Sequence, residues 1–221
     1  MSDSDDDFDM DAALADLPVF PLAQVVLFPR AILPLHVFEP RYRALLKDCL
    51  ATHRAMAIVL VPDPEDLDEK GHPRIARVGG LGVVVESQSM SDGRSNIVLH
   101  GRGRVRLDEL EFVPPYRRAR ATLLEDKTTP LAPLDRSALL SAANAFTTAV
   151  NKRDPDFTFG LPPSLPAEAI ADLCAHHLVV DATVRQSILE EPDGAERVRM
   201  VIRELAEQNA ILLREHGGLL N

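Results

Sequence analysis

Proline decides what the first part of this chain can become. Leu17-Pro-Val-Phe-Pro-Leu22, Val25-Val-Leu-Phe-Pro29 and Leu33-Pro-Leu35 are short apolar pieces, each broken or closed by proline. Proline fixes φ and has no N–H to give to a ladder, so these pieces are not expected as interior strands of a regular sheet. The pattern predicts short strands and turns at the mouth of a β-rich domain, leading into a helix.

The residues before this run are acidic. Asp3, Asp5, Asp6, Asp7, Asp9, Asp11 and Asp16 precede the first basic residue, Arg30, and supply most of the formal charge of −10. Such a composition buries too little apolar surface to offset chain entropy, so residues 1–16 read as a disordered, solubilising tail. The rest of a 221-residue chain suits one large domain or two small ones. No apolar stretch approaches the roughly 20 residues that span a bilayer, and no basic segment followed by an apolar one marks the start for export. Cys49 and Cys174 are the only cysteines and nothing marks them as a pair, which fits a reducing, cytoplasmic setting.

Periodicity divides residues 17–221 into two parts. Residues 17–126 read as a β-rich subdomain holding one helix, from Pro40 to Ala51, in which Tyr42, Leu45, Leu46, Cys49 and Leu50 recur at helical spacing. Met56–Val61 reads as a buried strand and Pro62–Pro73 as a surface loop. Strands are expected over Arg74–Val78, Leu81–Glu86, Asn96–His100, Val105–Phe112 and Arg118–Leu124, with Asp92-Gly93 as a hairpin turn. The glycines at 79, 80 and 82 suggest a sharp bend or bulge. Residues 127–221 read as helical: Arg136–Lys152, Ala167–Val179, a short helix capped by Asp181, and a long final helix. That last helix opens with Asp193 and Glu196 as a capping box and shows an apolar face at Ala195, Val198, Val201, Ile202, Leu205 and Leu212. The fold class is α+β, a β pseudo-barrel subdomain followed by a C-terminal helical bundle.

Few residues suggest chemistry. Cys174, His176 and His177 share a helix, but zinc takes four ligands or three with water, and no second pair stands at fitting spacing, so no metal or other cofactor is expected. Gly101 and Gly103 lack the third glycine of a dinucleotide fingerprint, and no Gly-Lys dipeptide exists to end a phosphate-binding loop. Arg102, Arg104 and Arg106 alternate and would share one strand face. They carry the alternative reading, an accessory RNA binder, against which stand the acidic total and the scarce aromatics.

Four stretches in order carry a resemblance. They are Leu17–Leu22 with Val25–Pro29; Leu33–Leu35 with Phe38-Glu-Pro-Arg-Tyr-Arg43; Gly80–Gly82 with Val98-Leu-His-Gly-Arg-Gly-Arg-Val-Arg-Leu107; and Leu173–Val180 with Arg185–Glu191 and Glu196–Val198. Together they resemble the stand-alone N-terminal, substrate-binding domain of Lon proteases, and the corresponding domain of cereblon. The resemblance implies a PUA-like β-subdomain and a helical bundle. It also implies binding of unfolded or exposed polypeptide segments, or of a protein partner, without ATPase or Ser-Lys protease activity. Phe28, Phe38, Glu39, Arg41, Tyr42, Phe157 and Phe159 are the candidate contacts. For Phe28, Phe38 and Tyr42 core packing and a groove rim are both open, and Phe157 and Phe159 either anchor a partner or plug the cleft expected between the two halves. Glu39 and Arg41 form a local ion pair at the helix start or meet a partner.

Overall fold

A computed structural model, describing residues 10–127, 129–162 and 164–217, separates the chain into two units with the boundary between Leu124 and Glu125. The first unit contains α1 (Met10–Ala15), β1 (Leu17–Leu22), β2 (Ile32–Val37), α2 (Pro40–Ala51), β3 (Ala55–Leu60), β4 (Val78–Ser89), β5 (Ser95–Glu109) and β6 (Arg117–Leu123). The strands lie in the order β2-β5-β4-β3-β1-β6, and β6 also pairs with β5. Strand β5 takes β2 along its first half and β6 along its second, so the pairings pass from β5 through β4, β3, β1 and β6 back to β5. Val19, Ala57, Val59, Leu81, Val105, Leu107 and Ala119 fill the core inside these pairings.

The prolines of β1 correct the first expectation. Strand β1 is interior, parallel to β3 on one side and antiparallel to β6 on the other. It tolerates Pro18 and Pro21 because the two ladders barely overlap. β6 pairs with residues 17–19 and β3 with residues 19–22, so each proline meets one partner strand and has no ladder on its other side to interrupt. Pro34 lies in β2, which pairs only with β5 and is an edge strand, where proline is ordinarily found.

The acidic tail is also shorter than expected. Met10–Ala15 is helical, Ala13 is fully buried, and Met10 and Leu14 pack on the β core. Asp16 pairs with Arg118 at 3.1 Å. The apolar residues at 10, 13 and 14 give this short helix a face to bury, which the acidic composition concealed. The remainder of the expected tail, residues 1–9, lies outside the described residues.

Glycine explains how the sheet is packed from above. The segment Val26–Phe28 is buried without forming a strand, and its backbone runs directly over the sheet. A Cβ at Gly80 would collide with the Leu27 carbonyl oxygen, and one at Gly101 with that of Phe28. The two strands expected around residues 96–100 and 105–112 are one 15-residue strand, β5, bulged opposite Leu81 and Gly82.

The second unit is helical: α3 (Asp135–Asn151), α4 (Ala167–Leu178), α5 (Ala182–Glu190) and α6 (Gly194–Gly217). Asp181 caps α5 by accepting hydrogen bonds from the Thr183 and Val184 amides at 2.7 and 2.9 Å. Asp193 caps α6 through the Ala195 amide at 2.9 Å, whereas Glu196 turns to Arg199 and Arg203 instead of closing a capping box. The centre of this unit holds a charge. Arg197 is fully buried and donates to Asp172 Oδ1 at 3.1 Å, to both oxygens of Asp126 at 3.1 and 2.7 Å, and to the Glu191 carbonyl at 3.2 Å. The chain is therefore α+β, a multi-stranded sheet followed by a helical bundle.

Candidate functional site

A groove of about 240 Å³ opens on the first unit where the end of β1, the start of α2 and the start of β6 converge. Its buried lining is Tyr42, Val61 and Tyr116, and Pro21 and Pro115 flank them. The lining also includes Phe112, with Pro64, His72 and Pro73 from the loop after β3. Arg41 and Arg117 are its cations.

Each wall is fixed by identifiable contacts. Pro40 starts α2, so Arg41 and Tyr42 lie in its first turn. The Tyr42 ring packs on Phe20 with centroids 4.2 Å apart, and the Arg41 guanidinium lies 4.5 Å above its centre. The Tyr116 hydroxyl donates to Asp48 Oδ2 at 2.7 Å and ties the start of β6 to α2. The loop of residues 62–73 is held by Asp68, which accepts from the Lys70 and His72 amides at 2.9 Å. Arg117 clamps the same loop, donating to the Pro73 carbonyl at 2.7 Å and to Glu109 at 3.1 Å. His72 rests on Phe112 with ring centroids 4.6 Å apart.

The electrostatics suit a binding surface better than a reaction centre. Burial raises the Tyr42 phenol above its ordinary value, and burial with the hydrogen bond to Asp48 pushes Tyr116 up to about 12, so both stay neutral near pH 7. Backbone hydrogen bonds, first from His72, hold the Asp68 carboxyl below the usual range. No nucleophile-and-base pair lines the groove, whose titratable members are His72, two phenols and two arginines. The cysteines are buried in the two units and burial pushes both thiols up to about 12. Among the described residues no cluster of His, Cys, Asp and Glu is arranged to hold a metal ion, and no helix is long and apolar enough to cross a membrane.

The candidate residues separate. Arg41 and Tyr42 line the groove. Glu39 accepts from Arg41 at 2.9 Å, which forms the local ion pair at the helix start. Phe28 is fully buried and cannot meet a partner from where it lies. Phe38 is 58% exposed beside His36 and is not part of the groove lining. Phe157 and Phe159 belong to the helical unit, where the Phe159 ring packs 5.7 Å from His177. The three alternating arginines do not form one exposed stripe. Arg104 is only 2% exposed while Arg102 and Arg106 face solvent, because the bulge at Gly101–Gly103 breaks the alternation. The stripe is interrupted at its centre, and of the three only Arg102 and Arg106 remain on the surface.

Sequence reasoning missed Phe112, Tyr116, His72 and Arg117. One signal pointed to them: the chain has just two tyrosines, and both line this groove. The proline-rich loop and the strand-opening Pro-Pro-Tyr offered no periodicity to join them.

Known proteins resemble the chain along the same lines. A family model described as the ATP-dependent protease La (LON) substrate-binding domain matches residues 16–207. Lon protease 2 of Sorangium cellulosum is 30% identical over 211 residues, covering 89% of this chain and 25% of that protein. Lon protease 2 of Myxococcus xanthus is 28% identical, with 89% and 24% covered. The chain thus spans about a quarter of the length of these relatives. Among solved structures, a Lon N-terminal domain protein from Xanthomonas campestris superposes with a TM-score of 0.61 at 23% identity, covering 85% of this chain and 97% of that one. The N-terminal domain of the Mycobacterium avium complex Lon protease gives 0.60 at 15% identity, covering 86% and 98%. These two likenesses concern the fold alone. The match is to a substrate-binding domain, not to a motor or a protease domain.

Proposed function

Because the chain belongs to the family of Lon protease substrate-binding domains, we propose that it recognises polypeptide. The groove bounded by Tyr42, Phe112 and Tyr116 then receives a side chain from an unfolded or exposed segment. The observation that carries this reading is the lining. Aromatic and proline surfaces around about 240 Å³ offer an apolar partner a place to leave water. The volume is below the usual range for drug-sized ligands, so the groove takes one large side chain at a time and the flanking peptide runs over the rim. In the same reading the ring of strand pairings is a PUA-like pseudo-barrel that holds the groove walls rigid, and the protein works in the cytoplasm.

A binding measurement with a groove-filling variant tests this. Ala23 lines the groove and is exposed, so Ala23→Trp adds bulk at the site without disturbing the core. A fluorescently labelled unfolded polypeptide should bind the natural protein and lose at least about tenfold in affinity for the variant, the scale of one lost apolar anchor. Unchanged affinity would place recognition elsewhere.

A further inference from the structure

We propose that the groove reads two features of a peptide together: a large apolar side chain in the cavity, and an acidic side chain next to it that takes the Arg41 guanidinium from Glu39. This deepens the groove reading above and rests on it. The two cations at the rim are not equivalent. Arg117 is 12% exposed in its side chain and committed to Glu109 and the Pro73 carbonyl, so it builds the wall. Arg41 is 55% exposed, lies over the Tyr42 ring, and is held by Glu39 alone among the described ion pairs.

The Glu39 contact is poorly matched to a guanidinium. Both Nε and Nη2 of Arg41 reach the same oxygen, Oε2, each at 2.9 Å, and Glu39 is itself 39% exposed. A carboxylate that approached with both oxygens would satisfy the planar fork better. Exposed pairs of this kind contribute little and exchange readily. The residues lie two apart in sequence at the mouth of α2, so Glu39 serves as an internal stand-in anion that keeps Arg41 stacked on Tyr42 until a peptide carboxylate replaces it.

Distance sets the spacing. The guanidinium is 4.5 Å from the centre of the Tyr42 ring that lines the cavity. An extended segment brings side chains two positions apart to the same face, with Cα atoms about 7 Å apart, so the acidic residue lies two positions from the apolar anchor. An acidic peptide gains no help from the overall charge of −10, which makes the preference local to Arg41.

The test uses three short peptides, acetylated and amidated so that no terminal carboxylate competes, with central Phe-Ala-Glu, Phe-Ala-Gln and Ala-Ala-Glu, abbreviated Phe-Glu, Phe-Gln and Ala-Glu. Their affinities for the full chain, Arg41→Gln and Glu39→Gln are measured by fluorescence anisotropy, with thermal melts to confirm that these exposed substitutions leave the fold intact. The natural protein should prefer Phe-Glu over Phe-Gln by about three- to fivefold, the range of one exposed charge pair. Arg41→Gln should abolish that preference while keeping the preference for Phe over Ala. Glu39→Gln should enlarge it, because the competing anion is gone. Equal binding of Phe-Glu and Phe-Gln, with Phe still required, would overturn this inference and leave the groove reading standing. Equal binding of the Phe-Glu and Ala-Glu peptides would overturn the groove reading and this inference with it. A Glu preference that survives in Arg41→Gln would overturn the inference by assigning the carboxylate to another cation.

Discussion

In the β-rich unit, Gly80 and Gly101 let the backbone of Leu27 and Phe28 rest directly on two strands. In the helical unit the central position belongs to Arg197, fully buried and shared between Asp172 and Asp126. One interior is close-packed by leaving side chains out, and the other joins its segments around a paired charge. The difference teaches where each unit is brittle. Removing space from the first strains backbone against backbone, whereas removing one partner from the second leaves an unmatched charge out of water.

The comparison can be broken by substitutions that touch one unit at a time. Both tyrosines lie in the β-rich unit and the chain has no tryptophan, so tyrosine fluorescence reports that unit, while far-ultraviolet circular dichroism is weighted to the helices. The largest effect is expected from Gly80→Ala, whose Cβ would overlap the Leu27 carbonyl oxygen. A loss of about 4 kcal/mol or more, or failure to fold, should appear in the tyrosine-detected urea transition. Gly160→Ala, where no heavy atom lies within 4 Å, is the control and should change little. A mild Gly80→Ala phenotype would refute the close-crossing account.

Arg197→Ala comes next, at about 3 kcal/mol, because it removes the buried cation that pairs with Asp172, while the half-exposed Asp126 can rehydrate. The circular dichroism transition should move and the tyrosine transition should hold. Arg197→Met with Asp172→Leu should recover most of the loss, since apolar replacement of a whole buried pair is often neutral. No recovery in the double variant would mean that the charge does more than fill space. Asp181→Ala sharpens the same comparison at about 1 kcal/mol, the usual value of an N-cap, and should destabilise the helical unit alone.

Much of this is legible in the sequence, and the exceptions share a cause. Helix α2 announces itself through Tyr42, Leu45, Leu46 and Cys49, and Asp181 is recognisable as a cap, because both signals are local. Interior β1 is not legible. The rule that excludes proline from central strands assumes that a strand keeps the same two neighbours along its length, and β1 changes neighbours at Val19. Arg197 escapes notice although it lies four residues before Val201 and eight before Leu205, on the face they bury. Its partners are 25 and 71 residues away, beyond any periodic pattern. The groove is half legible: Arg41 and Tyr42 stand out at the helix start, but Phe112 and Tyr116 reach them only through long-range pairing of β6 with β1 and the contact from Tyr116 to Asp48.

The smallest expected effect concerns acid. Backbone amides hold the Asp68 carboxyl below its ordinary value. A depressed carboxylate contributes stability that is fully present above the unfolded value, about 4 for Asp, and is lost as pH falls through the lowered folded value. The loop of residues 62–73 should therefore loosen below about pH 4, seen as faster amide exchange at Lys70 and His72, whose amides donate to Asp68. In Asp68→Asn that acid-dependent change should vanish. Persistence of the change in the variant would exclude Asp68 as its origin.

The central claim is that the β-rich unit grips polypeptide at the Tyr42–Phe112–Tyr116 groove. The most direct measurement is a two-dimensional amide NMR titration of the full chain with the acetylated Phe-Glu peptide. Saturable shifts are expected at Arg41, Tyr42, His72, Phe112 and Tyr116 and should be absent in Ala23→Trp. Shifts confined to the helical unit or to edge strand β2, or the same shifts in Ala23→Trp, would contradict it.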